Sequence, residues 1–285
     1  IALGLLLPQA HVLAPAIRWI VMAMLFLIFL ETHLSRAAVS RGHFVLLAAN
    51  VLLAFVAWGL GWLVGGREVA LAAFFAGIAP TAVAAPVIMR FLHGRVEWVI
   101  AASLLTNIAI AALLPVLLPV VLGRATPEAF AQVLGSVGLV VFVPLALAWL
   151  VRRMYPAAAS WPGRLRHVSF GLWIATMFLV TANASEFVRA QADTPLGMLL
   201  KVGGATLAVC ALNFAVGALI GGRLHRREAS QSLGQKNTSF TIYLALAYAG
   251  PLVALGPTCY VVWHNLWNSW QLHRAARRSP VAAVE

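Results

Sequence analysis

Leu233-Gly234-Gln235-Lys236-Asn237-Thr238-Ser239-Phe240 is a polar run set inside an apolar segment, Ser230 to Gly250. That segment is long enough to cross a bilayer, which takes about 20 residues at about 1.5 Å each. A lysine at that depth costs at least about 2.5–3.5 kcal/mol, so it marks a site rather than a decoration. Glycine and small polar side chains beside it predict a broken helix with exposed backbone groups. The plainer reading is a lysine that snorkels from a helix end. Apolar residues follow Phe240 for about ten positions while few precede Ser232, which favours an interior Lys236.

The rest of the chain supports a membrane setting. Of 285 residues, 62% are hydrophobic and only 10% charged, against about 25% charged in soluble domains. The mean hydropathy is +0.91. Long unbroken apolar runs exclude a membrane β-barrel, whose strands alternate. The net charge of +12 does not mark a nucleic-acid partner, because the arginines sit in short loops between apolar runs. Cys210 and Cys259 both fall in apolar segments and read as packing residues. The opening run, Ile1 to Leu7, is too short to span and has no basic stretch before it, so it reads as the tail of a helix and not as a signal peptide.

The hydropathy pattern predicts an all-α polytopic membrane protein of about ten transmembrane helices. A first helix ends at Pro8; then come Ile17–Leu34, Phe44–Val64, Val69–Arg90, Val96–Leu122, Phe130–Val151, Val168–Val188, Leu196–Ile220, the Lys236 segment and Leu252–Leu272. Basic residues alternate by loop. Fourteen arginines, from Arg36 and Arg41 to Arg274, Arg277 and Arg278, fall on one side; the other has only Arg18, Arg67, Arg124, Arg189 and Lys201. This bias puts both termini in the cytoplasm. The fourth and ninth helices hold equivalent places in two blocks of five, and both are interrupted. In one the break lies around Pro80 and Pro86, in the other between Gly234 and Ser239. Five is odd, so the second block enters from the opposite side. The expectation is two inverted five-helix repeats with broken fourth and ninth helices, inferred from hydropathy and position because the halves share no visible identity.

Several residues are candidates for contact with a ligand. Pro80 and Pro86 each remove a backbone donor and free carbonyls that can face a cavity; a simple kink is the alternative. Gln235, Asn237, Thr238 and Ser239 can bond a ligand or bond between helices. In the last helix His264 and Asn268 are four apart and share a face, with Asn265 beside it. Trp263, Trp267 and Trp270 share another face, as an interfacial belt would. Thr176, Thr181, Asn183, Ser185 and Glu186 form a polar stretch in the seventh helix. Glu186 there, and Glu31 and His33 in the second helix, read as solvated ends. Asn50, Asn107 and Asn213 read as glue between helices. No HExxH, GxSxG or phosphate-loop pattern is present, and no enzyme is expected.

These motifs resemble the bile acid:sodium symporter family. The stretch Gly77–Pro115, with Pro80-Thr81-Ala82, Ala85-Pro86-Val87, Gly94 and Asn107, is similar to that family's first crossover region. Gly234-Gln235-Lys236-Asn237-Thr238 resembles its Gly-Met-Gln-Asn-Ser, and Trp263-His264-Asn265 its Trp-His-Asn. The resemblance runs through the whole chain in helix count and order. It implies a bacterial inner-membrane transporter with a panel domain (residues 1–38 and 128–190; helices 1, 2, 6 and 7) and a core domain (43–123 and 195–275; helices 3–5 and 8–10), whose broken helices cross near the midplane. It implies an organic anion substrate such as a bile acid, a pyruvate-like or pantothenate-like acid or a sulfated steroid. The substrate would meet Lys236, Asn237, Thr238, Gln235, His264, Asn265, Asn268 and Thr81.

The departures bear on the coupling ion. Family sodium ligands include a glutamate two residues before the ninth-helix glycine and a glutamine before the asparagine. Here those positions are Ser232 and Lys236. The family's Ser-Asn pair falls at about Ala85 and Pro86, and of the fifth-helix hydroxyls one falls at about Val99 and only Ser103 keeps an oxygen. Ser232 and Ser103 are thus vestiges of a sodium site, and no metal or other cofactor is expected. A family site with one carboxylate and two sodium ions carries net +1; a site with Lys236 and no carboxylate carries the same. The expectation is that the Lys236 ammonium replaces bound sodium, with proton coupling as the second route. A conventional sodium/organic anion symporter is the first alternative. An arsenite carrier lacks its fourth-helix cysteine here, and an embedded enzyme would rest on His264 and Asn265 alone. A non-transporting membrane ligand sensor is the alternative of another class; the expectation is against it, because no soluble output domain follows Glu285. The expected partners are the organic anion and the bilayer.

Overall fold

The computed structural model describes residues 2–31, 39–82, 84–190 and 196–278, nearly all of them helical. His33 and Arg36 lie outside the described residues. A short helix, α1 (Ala2–Leu6), leads through a 3-10 turn at Pro8–Leu13 into α2 (Ala16–Glu31). Next come α3 (Arg41–Ile78), α4 (Ala84–Phe91) and α5 (Val96–Val121). Helices α6 (Pro127–Val137) and α7 (Val143–Met154) are joined by a π-helical turn at Gly138–Phe142. Pro144, in the first turn of α7, has no N–H to donate, and the ladder widens just before it. The short α8 (Trp161–Arg164) precedes α9 (Arg166–Ala190), and the chain closes with α10 (Leu196–Gly221), α11 (Arg226–Gly234), α12 (Thr238–Tyr248) and α13 (Pro251–Arg278).

Among the described residues four helical stretches are long and apolar enough to cross a membrane: Arg41–Ile78, Val96–Val121, Pro127–Met154 and Leu196–Gly221. A fifth is added if Pro156–Arg164 and His167–Asn183, bent by 59°, count as one span. With the composition, these helices mark an integral membrane protein. Of the other expected spans, Ala16–Leu30 is shorter and the Lys236 segment is broken between α11 and α12, while α13 is a continuous helix of 28 residues that falls outside this apolar set.

The third expected helix and the part of the fourth before its break are one run of 38 residues, and α4 is the part after the break. A straight helix of that length would measure about 57 Å, nearly twice the hydrocarbon core. It folds back at Gly65-Gly66 instead, where Gly66 has φ 72° and ψ −158°, a conformation that needs glycine. The two arms lie close: a Cβ on Gly61 would stand 2.5 Å from Ala70 Cα, and one on Gly77 3.1 Å from Ala54 Cα. Helices α10 and α11 repeat the arrangement, turning at Gly222 and approaching so closely that a Cβ on Gly217 would stand 2.5 Å from the Ala229 carbonyl.

Packing follows two groupings. Helix α2 contacts α7 and α9, and α9 contacts α1; α3, α5 and α10 to α13 form a second set of neighbours, joined to the first where α9 meets α13. Buried Phe74, Ile78, Leu114, Phe240, Leu244 and Val253 belong to one large apolar cluster that reaches Leu25 and Val180 across the two.

Candidate functional site

Two helix breaks meet. The second arm of α3 stops at Ile78, since Ala79 precedes proline and is extended, with φ −50° and ψ 137°. Helix α11 stops at Gly234, and Gln235 is extended with φ −92° and ψ 111°. The freed strands pair antiparallel at Thr81 and Lys236. Ala82 N donates to the Gln235 carbonyl at 2.8 Å, and Asn237 N donates to the Pro80 carbonyl at 2.7 Å. Each break thus satisfies backbone groups that the other exposes, which matters where an unpaired group costs several kcal/mol. Pro86 corrects the sequence expectation. It falls in the first turn of α4, where a missing N–H costs nothing, so it starts a helix instead of breaking one.

Lys236 is 1% exposed, and its Nζ donates to Asn50 Oδ1 on the first arm of α3. Asn50 Nδ2 in turn donates to the Ile78 carbonyl at 3.2 Å, the last of the helix before the break. The amine's hydrogen-bond partner is therefore a neutral amide. Asn50 is the interhelical bond the sequence suggests, between the two arms of α3, and it is also the partner of the buried Lys236 amine.

A polar cluster lines the other side. Thr81 Oγ1 donates to the Ser232 carbonyl at 2.5 Å, and Thr81 N donates to Thr106 Oγ1 at 3.1 Å. The Thr81 carbonyl accepts from Asn107 Nδ2 at 2.9 Å and from Ser103 Oγ at 3.4 Å. Asn237, half-buried, donates from Nδ2 to Asn107 Oδ1 at 3.4 Å. Thr238 is buried, its carbonyl taken by Thr241 Oγ1 at 3.2 Å.

From Gln235 a chain of amides runs outward. Asn268 Nδ2 donates to Gln235 Oε1 at 2.9 Å, Gln231 Nε2 donates to Asn268 Oδ1 at 3.2 Å, and the same Gln231 nitrogen donates to Gln271 Oε1 at 2.5 Å. Asn213 Nδ2 donates to Tyr260 Oη at 3.3 Å, and that hydroxyl donates to the Gly234 carbonyl at 2.7 Å.

The structure gathers Lys236, Gln235, Asn237, Thr238 and Thr81 at the crossing and ties Asn268 to it. His264 is buried one turn away, edge-on to Tyr260 at 5.6 Å, with Nδ1 unpartnered among the described residues. Asn265 is exposed and does not join them. One residue is about 100° on a helix, so the face that buries His264 and Asn268 turns their neighbour outward. Trp263, Trp267 and Trp270 share a face, but it looks into a groove against α10. Of the polar stretch in α9, Thr176 and Thr181 return their hydroxyls to Leu172 and Met177 of the same helix. Cys210 and Cys259 are free thiols. The sequence pattern does not signal Thr106, Gln231, Tyr260 or Gln271: Thr106 and Tyr260 sit in apolar helices as packing contacts would, and Gln231 and Gln271 sit in polar helix ends as solvated residues would.

As a cage for an alkali ion the cluster fits poorly. A hard cation needs several free oxygens together. Here the Thr81 and Ser232 carbonyl oxygens and Asn107 Oδ1 accept from protein donors; the buried oxygens without a partner among the described residues are the Ser232 hydroxyl in this cluster and, apart from it, Asn213 Oδ1 and Gln231 Oε1. No group of three His, Cys, Asp or Glu converges among the described residues. Compared with models of known families and with curated proteins, the chain matches none.

Proposed function

We propose that the chain is a secondary transporter of an organic anion, working by alternating access in the bacterial inner membrane. It has ten spans in two inverted five-helix repeats, both termini cytoplasmic, and a panel of α1, α2 and α6 to α9 against a core of α3 to α5 and α10 to α13. The anion takes its positive partner from Lys236. The observation that carries this reading is the buried Lys236 amine at the meeting of two helix breaks, held by a neutral amide.

Two features support the repeat. Each broken segment follows an antiparallel helix packed on it through glycines. Each also receives an asparagine at the carbonyl before its break: Asn50 at Ile78 directly, Asn213 at Gly234 through Tyr260. Broken helices at matching positions are the sequence and structural mark of a midplane transport site. The helix ends add charge. The N-termini of α4 and α12 lie beside the crossing and favour an anion.

The chemistry needs no bond made or broken. The anion exchanges its water for Lys236, Asn237 and Thr238, and the Lys236–Asn50 bond gives way as it binds. The amine then has a charged partner in one arrangement of the two domains and a neutral one in the other, which is the differential affinity that alternating access requires. A sodium symporter is the second reading, favoured by the unpartnered Ser232 hydroxyl beside Thr81.

Uptake into vesicles holding the purified protein tests this. A bile acid, pyruvate, pantothenate and a sulfated steroid serve as probes, in sodium and with sodium replaced by choline. At least one anion is expected to accumulate equally in both. Accumulation only in sodium would favour the second reading, and none in either would remove the proposal.

A further inference from the structure

A groove of about 1070 Å³ runs between α10, α11 and α13, apart from the buried crossing. Its walls extend from Leu207 to Ala218 on α10 and from Trp263 to Ala275 on α13. The walls are about 16 and about 18 Å long at about 1.5 Å per residue. That is half of the ~30 Å hydrocarbon core, the depth of one leaflet. The walls are apolar, and Leu207, Leu266 and Trp270 are about half exposed, so this face meets lipid.

One end is basic. Arg226, Arg227 and Arg274 line it together, and among the described residues no acidic side chain does. The acid of α11, Glu228, is buried and accepts from Arg95 N at 2.9 Å. Arg227 is anchored to the Leu92 carbonyl at 3.2 Å, and the Arg274 guanidinium lies 5.4 Å over the Trp270 ring. The arginines stand where a headgroup would be, and the tryptophans where its acyl chain would lie.

We propose that this groove binds one anionic phospholipid of the leaflet on the arginine-rich side. The headgroup phosphate takes Arg226, Arg227 and Arg274, and a chain lies along Trp267 and Trp263. Basic pockets between membrane helices hold anionic headgroups by the same means. The floor of the groove is Gln231, the start of the amide chain through Asn268 to Gln235, so the lipid would brace the half-helix that ends at the crossing. The proposal does not depend on transport.

The test is the melting temperature of the purified full chain in detergent with added dioleoyl phosphatidylglycerol, dioleoyl phosphatidylcholine or glycerol 3-phosphate. A rise of about 5 °C is expected with phosphatidylglycerol alone. Arg226→Gln/Arg227→Gln/Arg274→Gln should lose that rise, while Arg152→Gln/Arg153→Gln/Arg164→Gln keeps it. An equal rise with phosphatidylcholine, a rise with glycerol 3-phosphate, or a rise that survives the first triple variant overturns the proposal, as does its loss in the second. Should the first triple variant fail to fold, Ala211→Trp fills the groove and leaves the charges in place. Loss of the rise there supports the lipid, and retention overturns it.

Discussion

Asn50 holds Lys236 with its oxygen and the broken end of α3 with its nitrogen. One side chain therefore reports to the helix break what the cation is doing. Replacing it separates the two roles. Asn50→Leu leaves a buried amine without a partner and should cost about 3 kcal/mol or more. Asn50→Asp offers a carboxylate instead; it should keep the fold but weaken anion binding at least tenfold, because the site's net charge falls by one. Thermal unfolding and equilibrium binding of the two variants check this pair.

Gly234 fixes how closely the second break packs. A Cβ built there stands 2.3–2.6 Å from the Phe214 ring. Gly234→Ala should destabilise the protein by about 1–3 kcal/mol through overpacking. Adding Phe214→Leu should recover at least half of that, since the obstruction is a single ring. A double-mutant cycle on melting temperature reads the coupling.

On α13 the neighbours Asn265 and Asn268 should behave oppositely. Asn268→Ala strips partners from buried Gln231 and Gln235 and should cost about 2 kcal/mol. Asn265→Ala, at an exposed position, should change stability by no more than about 0.5 kcal/mol and leave anion binding alone.

The break at Lys236 was legible because a cation, a glycine and three small polar residues interrupt an apolar run, and each is costly there. The break at Pro80 was legible from a missing donor. Pro86 misled for a reason of position: the same missing N–H is harmless in a first turn. The fold-back at Gly65-Gly66 was read as a loop between two spans, since hydropathy records where apolar residues stop and not how sharply the chain turns. Asn50, Asn107 and Asn213 looked alike as isolated asparagines in apolar helices. Only the pairing of remote segments makes Asn50 the partner of Lys236, Asn107 a buttress of Thr81 and Asn213 a support for Tyr260. Asn265 enters the site by motif, and helix phase leaves it exposed, apart from the buried His264 and Asn268.

The most direct test of the central claim is anion-induced thermal stabilisation of the wild type and of Lys236→Gln, with choline as the added cation. The account predicts that the anion which stabilises the wild type without sodium does nothing for Lys236→Gln. Equal stabilisation of both, or stabilisation of the wild type only when sodium is restored, would contradict it.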